Sequence, residues 1–136
     1  MSVERQPVRI FIAYSSKDVV HKEEIRKSLV PLLRAGKATV WDNYDIEAGE
    51  KWDTVIREEL ANSDLILLLL SPDALSSEYF YDVEAPIALQ RHAAGEAIMV
   101  IVLLRPCTLK YTPFGDLTRD EMLPRKGYPV VDTFER

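Results

Sequence analysis

The run Leu65-Ile66-Leu67-Leu68-Leu69-Leu70 is apolar at every position and ends at Ser71-Pro72. A strand with one face in water alternates apolar and polar residues, whereas a strand covered on both faces has no need of polar positions. The segment from Ala97 to Leu104 repeats the uninterrupted apolar pattern. Both segments therefore predict strands in the interior of a sheet that has helices on its two faces.

The flanking segments alternate between strand and helix patterns. The β-branched and aromatic residues from Val8 to Tyr14, and the shorter Ala38-Thr39-Val40-Trp41, predict two more strands. Apolar residues at helical spacing predict helices over residues 21–35, 52–60 and 87–91. Pro31 lacks an N–H and should kink or shorten the first of these helices. Near the carboxyl end, Pro129-Val130-Val131 predicts a short fifth strand.

This order of strands and helices predicts a particular sheet. Parallel neighbours need right-handed crossovers, which place helices on both faces. We expect an α/β, flavodoxin-like three-layer fold with a four- or five-stranded parallel sheet in the strand order 2-1-3-4-5. The ligand crevice of such a sheet lies at the carboxyl ends of strands one and three. The loop Ser15-Ser16-Lys17 and the segment from Ser71 to Glu84 should therefore share one crevice.

Composition narrows the class of protein. With 136 residues, 47% of them hydrophobic, the chain can bury one core, and we expect a single domain over residues 1–136, the amino-terminal part of a larger multidomain protein. The net charge of −5, from 17 basic and 22 acidic residues, argues against direct nucleic-acid binding. No signal peptide or bilayer-length apolar run is visible, and Cys107 is the only cysteine. We expect a cytoplasmic protein without a membrane partner.

Several site classes of this fold lack their motifs. No glycine-rich turn follows the first strand, which argues against an ordinary dinucleotide-binding site, and no Walker A loop is present. A phospho-receiver domain needs an acidic pair after strand one and an aspartate after strand three. The chain offers only Asp18 after strand one and Asp73 after strand three, which argues against this class. His21 and His92 stand alone, so we expect no metal site.

Three segments, in order, resemble the motifs of Toll/interleukin-1 receptor (TIR) domains. Phe11-Ile12-Ala13-Tyr14-Ser15 looks like the first signature box, and Trp41 to Trp52 resembles the bacterial "BB loop" with its Asp-x-x-x-Gly-x-x-Trp pattern. Leu70-Ser71-Pro72, followed by Ser77-x-Tyr79-x-Tyr81-Asp82-Val83-Glu84, is similar to the third-helix segment of the family. The resemblance covers Val8 to Arg105. The Phe-Trp third box of receptor TIR domains is absent, which favours a bacterial effector.

The resemblance implies an NAD glycohydrolase whose catalytic glutamate is Glu84. Enzymatic TIR domains cleave the nicotinamide–ribose bond of NAD, and nicotinamide leaves a pyridinium as a neutral molecule without a general acid. A carboxylate against the ribose can then stabilise the oxocarbenium-like sugar. NAD is the implied substrate, with no further cofactor, and the expected NAD-binding residues are Tyr14, Ser15, Ser16, Lys17, Trp41, Asp45, Phe80 and Tyr81. Some NAD-cleaving relatives have tryptophan where this chain has Phe80.

The resemblance also implies assembly through the BB loop. The residues expected to serve TIR–TIR self-association are Asp42, Asp45, Ile46, Glu47 and Gly49. A sensor domain in the same or a partner chain would drive this assembly in bacterial antiphage defence. A non-catalytic TIR adaptor is the alternative, and an unrelated flavodoxin-like nucleotide-binding protein is a weaker one. Glu84 favours the enzyme, because an adaptor needs no carboxylate in that crevice.

Each candidate residue also has an ordinary structural explanation. Glu84 can be a capping or solvated acid near a helix start, and the rings of Tyr79-Phe80-Tyr81 can pack under a kink at Pro86. Ser15-Ser16 can cap a helix. For Trp52, which lies on an apolar helical stripe, the pattern favours core packing.

Overall fold

The computed structural model describes residues 6–46, 49–115 and 122–123, and it contains a five-stranded parallel sheet in the order β2-β1-β3-β4-β5. The strands are β1 (Val8–Ala13), β2 (Ala38–Trp41), β3 (Leu65–Leu70), β4 (Ile98–Leu103) and β5 (Met122–Leu123). The helices are α1 (Val19–Arg34), α2 (Trp52–Asn62), α3 (Pro72–Ser76) and α4 (Ala85–Ala93). The predicted fold and strand order are confirmed, while the strand predicted at Pro129-Val130-Val131 lies outside the described residues.

The central strand β3 is buried on both faces, as its sequence predicted. Leu68 packs in the cluster that α2 and α4 cover, whereas its neighbour Leu69 packs on the opposite face, against α1. Both side chains are completely buried. Because successive residues of a strand point to opposite faces, a strand in this position needs apolar residues throughout.

The predicted shortening of the first helix at Pro31 is wrong, because α1 continues to Arg34. Pro31 is exposed and lies in the last turn, so the missing N–H costs a single backbone bond there, and its carbonyl still accepts from the Ala35 N–H at 3.1 Å. Gly36 ends the helix as predicted, with a φ of 71° that a residue with a Cβ adopts only at a cost.

A polar cluster built on the buried Ser71 and Asp18 joins the carboxyl ends of three strands. Ser71 ends β3, accepts a hydrogen bond from the Ala74 N–H at 3.0 Å as the cap of α3, and donates one to the Asp18 carboxylate. Arg105, just past β4, pairs with Asp18 at 3.0 Å and with Asp73 at 2.5 Å. These contacts hold the loop after β1 against the start of α3, and so set the spacing of the crevice between them.

Replacing Ser71 with Ala is expected to lower the free energy of unfolding by about 2 kcal/mol, because α3 loses its cap and the buried Asp18 carboxylate loses a donor. Urea denaturation of the two proteins measures the difference. Ser76→Ala is the control, since Ser76 is exposed and should change the free energy by less than about 0.5 kcal/mol. An equally small effect for Ser71 would contradict the structural role of this cluster.

No helix in the described part of the chain is both long and apolar enough to cross a membrane.

Candidate functional site

A pocket of about 420 Å³ lies where the carboxyl ends of β1 and β3 meet. Its lining comes from the loop after β1, the turn after β2, the start of α2 and the segment after β3. The lining residues are Tyr14, Ser15, Ser16, Lys17, Asn43, Trp52, Ile56, Asp73, Ser76, Ser77, Tyr79 and Glu84. The structure thus brings Ser15-Ser16-Lys17 and Glu84 into the one crevice that the strand order predicted.

Glu84 is the last residue of a π-helical turn, Phe80–Glu84, that runs directly into α4. The Ala85 N–H donates to the carbonyl of Phe80, five residues back, and Pro86 has no N–H with which to continue the usual ladder. At the start of this turn Phe80 is buried in the core, and at its end Glu84, only 8% exposed, lines the pocket.

The carboxyl group of Glu84 has an unusual electrostatic environment. Burial raises its pKa to about 8, because removal from water disfavours the charged form. Among the side chains that the structure describes, none forms a hydrogen bond or an ion pair with it. At neutral pH the group is therefore mostly protonated in the free domain, and a positively charged ligand in the pocket would favour its ionised form.

This pKa predicts how stability depends on pH. The pKa of Glu84 is higher in the folded state than the ordinary value of 4.5, so its contribution to stability is complete below pH 4.5 and is lost as the pH rises through about 8. We expect Glu84→Gln to remove this loss, which is on the order of 4 kcal/mol between pH 4.5 and pH 9. Urea denaturation of both proteins across this range measures it. Parallel curves for the two proteins would show that the carboxyl group is not desolvated.

An aromatic pair lines the wall of the pocket. Trp52 and Tyr79 meet edge to face with ring centroids 4.8 Å apart, and the Tyr79 hydroxyl donates to Asp53 at 2.8 Å. The prediction that Trp52 packs in the core is wrong, since it is 54% exposed. The stripe that it shares with Ile56 and Leu60 is real, but Trp52 is the first residue of α2 and extends the stripe beyond the core into the pocket.

Four of the predicted substrate-binding residues do not line this pocket. Phe80 is buried in the core, and Trp41 stacks on Phe11 with centroids 5.3 Å apart. Tyr81 is half-buried on the π-turn, and Asp45 pairs with Arg26 at 3.0 Å. Their roles in binding stay predictions. Tyr14, Ser15, Ser16 and Lys17 do line the pocket.

Several lining residues were not among the predicted binding residues. They are Asn43, Trp52, Ile56, Asp73, Ser76, Ser77 and Tyr79. A usable signal existed for Asp73, Ser76 and Ser77, because they follow a strand whose carboxyl end faces the crevice. Trp52 offered a weaker signal, since it opens a helix directly after the loop that borders the same edge.

The residues predicted for assembly lie in different environments. Asp42 is completely buried, where its carboxylate accepts from Arg26 at 2.6 Å and pairs with Lys22 at 3.3 Å. It therefore holds the base of the loop to α1 and presents no surface to a partner. Ile46 packs against the core. Asp45 and Gly49 are exposed, and Glu47 lies outside the described residues. Their part in assembly stays a prediction.

Comparison with known proteins agrees with the fold and the motifs. The family model described as "TIR domain" matches residues 10–133. The chain is also similar to the uncharacterized protein y4lF of Sinorhizobium fredii (strain NBRC 101917 / NGR234), with 37% identity over 122 residues. That alignment covers 90% of this chain and 37% of the relative, so the chain spans little more than a third of that protein's length. On the match across residues 10–133, this chain belongs to the TIR domain family.

Proposed function

We propose that this domain is an NAD glycohydrolase, which cleaves the nicotinamide–ribose bond of NAD when several copies assemble. The observation that carries the proposal is Glu84, a nearly buried acid in a 420 Å³ pocket, without a hydrogen-bond or ion-pair partner among the described residues. Burying a carboxyl group without a partner costs folding free energy, so its retention indicates that the group has another use. A ligand that carries positive charge gives Glu84 such a use.

The reaction needs one negative charge in the right place. Nicotinamide departs with both electrons of the glycosidic C–N bond and becomes neutral, while positive charge develops on the ribose ring. The ionised carboxylate of Glu84 stabilises that charge in a site with little water, where electrostatic interactions are strong. Water then adds to the ribose carbon and releases a proton, which yields ADP-ribose.

The raised pKa of Glu84 is compatible with this role. The pyridinium of NAD brings a positive charge next to the carboxyl group and lowers its pKa, so substrate binding itself favours the ionised, active form. Ser15, Ser16 and Lys17 line the same pocket, and we assign their hydroxyl and ammonium groups to the phosphates of NAD as hydrogen-bond donors.

We further propose that assembly controls the activity. Self-association through the loop of residues 42–50, driven by a sensor domain in the same or a partner chain, would complete the pocket with residues of a second copy. NAD depletion would then serve as the response in a cytoplasmic antiphage defence system. Exposure of Asp45, Gly49 and Glu50 leaves this loop accessible for such contacts.

The same exposed loop favours a second candidate, a non-catalytic adaptor that only binds other TIR domains. Under that hypothesis Glu84 has no chemical task, and charge reversal at Glu50 should abolish self-association without unfolding the domain. Loss of assembly with no detectable NAD cleavage at any concentration would support the adaptor.

The proposed activity is tested by displaying the chain on a clustering scaffold and incubating it with NAD. We expect nicotinamide, separated by chromatography, to appear faster per chain in the clustered form than in dilute solution. The free scaffold serves as the control. If the clustered chain releases no nicotinamide above this control, the glycohydrolase proposal is wrong.

A further inference from the structure

The exposed indole of Trp52 is unusual among the large apolar side chains of this domain, because it lines the pocket that contains Glu84. Its partner Tyr79 lines the same pocket, and their ring centroids lie 4.8 Å apart at an interplanar angle of 61°. An edge-to-face pair leaves one face of a ring available for a third ring. The pair therefore offers a flat, electron-rich surface to a ligand.

A hydrogen bond to Asp53 fixes the position of the Tyr79 ring. Its hydroxyl donates to Asp53 at 2.8 Å, and Asp53 also accepts from Arg57 at 3.1 Å. Burial raises the pKa of the Tyr79 phenol, and the hydrogen bond to Asp53 adds to this effect, so the hydroxyl stays a donor. Because Trp52 packs on a ring that is fixed in this way, little conformational freedom is lost when a ligand binds to it.

Carboxyl groups surround the ring pair. Glu84 and Asp73 line the same pocket, and Asp53 accepts the hydrogen bond from Tyr79. Arg105 pairs with Asp73 and Arg57 pairs with Asp53, so Glu84 is the carboxyl group whose ionisation a cationic ring in the pocket would favour. An indole face attracts a cationic ring more strongly than a neutral one. Of the two flat rings of NAD, only the pyridinium carries a positive charge, whereas adenine is neutral.

The position of Trp52 and Tyr79 next to Glu84 also favours the pyridinium ring over adenine. Tyr79 lies close enough to Glu84 for the carboxylate to contribute to the raised pKa of its phenol. If Glu84 faces the ribose that loses nicotinamide, the ring attached to that ribose is the one next to Trp52. Adenine lies beyond two phosphates and a second ribose.

We propose that Trp52, positioned by Tyr79 and Asp53, binds the pyridinium ring of NAD and gives the site its preference for a cationic nicotinamide. The inference rests on the proposed glycohydrolase function and names the subsite of its leaving group. In this chain the indole comes from the start of α2 and not from the π-turn, where Phe80 is buried in the core.

Binding tests this subsite without catalysis. The chain has two tryptophans, so its nuclear magnetic resonance spectrum contains two indole N–H signals, and Trp52→Leu assigns them. We expect 1-methylnicotinamide, a pyridinium without a ribose, to shift the Trp52 signal saturably, and ADP-ribose, which lacks the ring, to shift it much less. The absence of a saturable shift, or a shift confined to the Trp41 signal, would overturn the proposal.

Affinity and kinetics give a second readout. We expect Trp52→Leu to weaken 1-methylnicotinamide binding and to raise the KM for NAD by about tenfold, with a smaller effect for Trp52→Phe. Tyr111→Leu removes an exposed ring that does not line the pocket and should change neither value. If clustered protein cleaves NAD and Trp52→Leu leaves KM unchanged, this inference fails while the glycohydrolase stands. If 1-methylnicotinamide binds at Trp52 but NAD is not cleaved, the glycohydrolase fails while the ring site stands.

Discussion

Glu84→Gln is expected to reduce nicotinamide release by the clustered domain at least about a hundredfold, because glutamine keeps the shape of the side chain but cannot carry the negative charge that opposes the developing oxocarbenium ion. The loss should appear in kcat, since the charge matters most in the transition state. Steady-state kinetics of nicotinamide release, with the same clustering scaffold for both proteins, measures it. Equal kcat values for the two proteins would remove Glu84 from the mechanism.

Two controls separate a catalytic role from a structural one. Glu78→Gln changes an exposed acid a few residues earlier on the same segment and should leave activity unaltered. Glu84→Gln should also be at least as stable as the original protein at pH 8, because it removes the cost of ionising a buried carboxyl group. Loss of activity together with equal or greater stability is typical of a residue retained for function. A variant that loses activity because it unfolds would contradict this account.

The pH dependence of NAD cleavage by the original protein should also reflect the ionisation of Glu84. If the ionised carboxylate is the active form, kcat/KM for NAD should rise with pH and level off above about 8, the pKa of Glu84 in the free domain. Bound substrate should shift the midpoint of kcat to lower pH. A kcat/KM that is flat between pH 6 and pH 9 would contradict the assignment.

Asp42→Ala is expected to lower the free energy of unfolding by on the order of 3 kcal/mol, because it removes the fully buried carboxylate that pairs with Lys22 at 3.3 Å and with Arg26 at 2.6 Å. Lys22 is 1% exposed, and Glu23, which also pairs with it, is largely in solvent. The aliphatic stem of Lys22 reaches inward, and its ammonium group lies 5.2 Å from the ring of Tyr14. Urea denaturation monitored by circular dichroism measures the loss.

A second substitution distinguishes a buried ion pair from general damage. Lys22→Met in the Asp42→Ala background removes the buried charge that has lost the Asp42 carboxylate and should restore part of the lost stability. Asp45→Ala removes a more exposed partner of Arg26 and should cost no more than about 1 kcal/mol. If Asp42→Ala cost as little as Asp45→Ala, the network beneath the loop would have no special importance. Since Tyr14 lines the pocket, loss of this network should also disturb the site.

Some of the site could be predicted from local patterns and some could not. The neighbourhood of Ser15-Ser16-Lys17 and Glu84 follows from strand order, because the carboxyl ends of adjacent parallel strands meet at one edge. The environment of Asp42 does not follow, because its partners Lys22 and Arg26 lie 20 and 16 positions earlier on α1. In the sequence, Asp42 is indistinguishable from the acids around it. Burial alone separates it from Asp45.

The sequence by itself determined the parallel sheet, because an uninterrupted apolar run such as Leu65 to Leu70 is a local property typical of a strand covered on both faces. The alternation of strands and helices predicted the strand order, and three local motifs predicted the family. Only the tertiary structure decided what each functional side chain can do. Trp52 lies on an apolar stripe whether it faces the core or the pocket, and Glu84 is one acid among several until the π-turn removes it from water. Exposure and pKa depend on atoms brought together from distant parts of the chain, and periodicity carries no information about them.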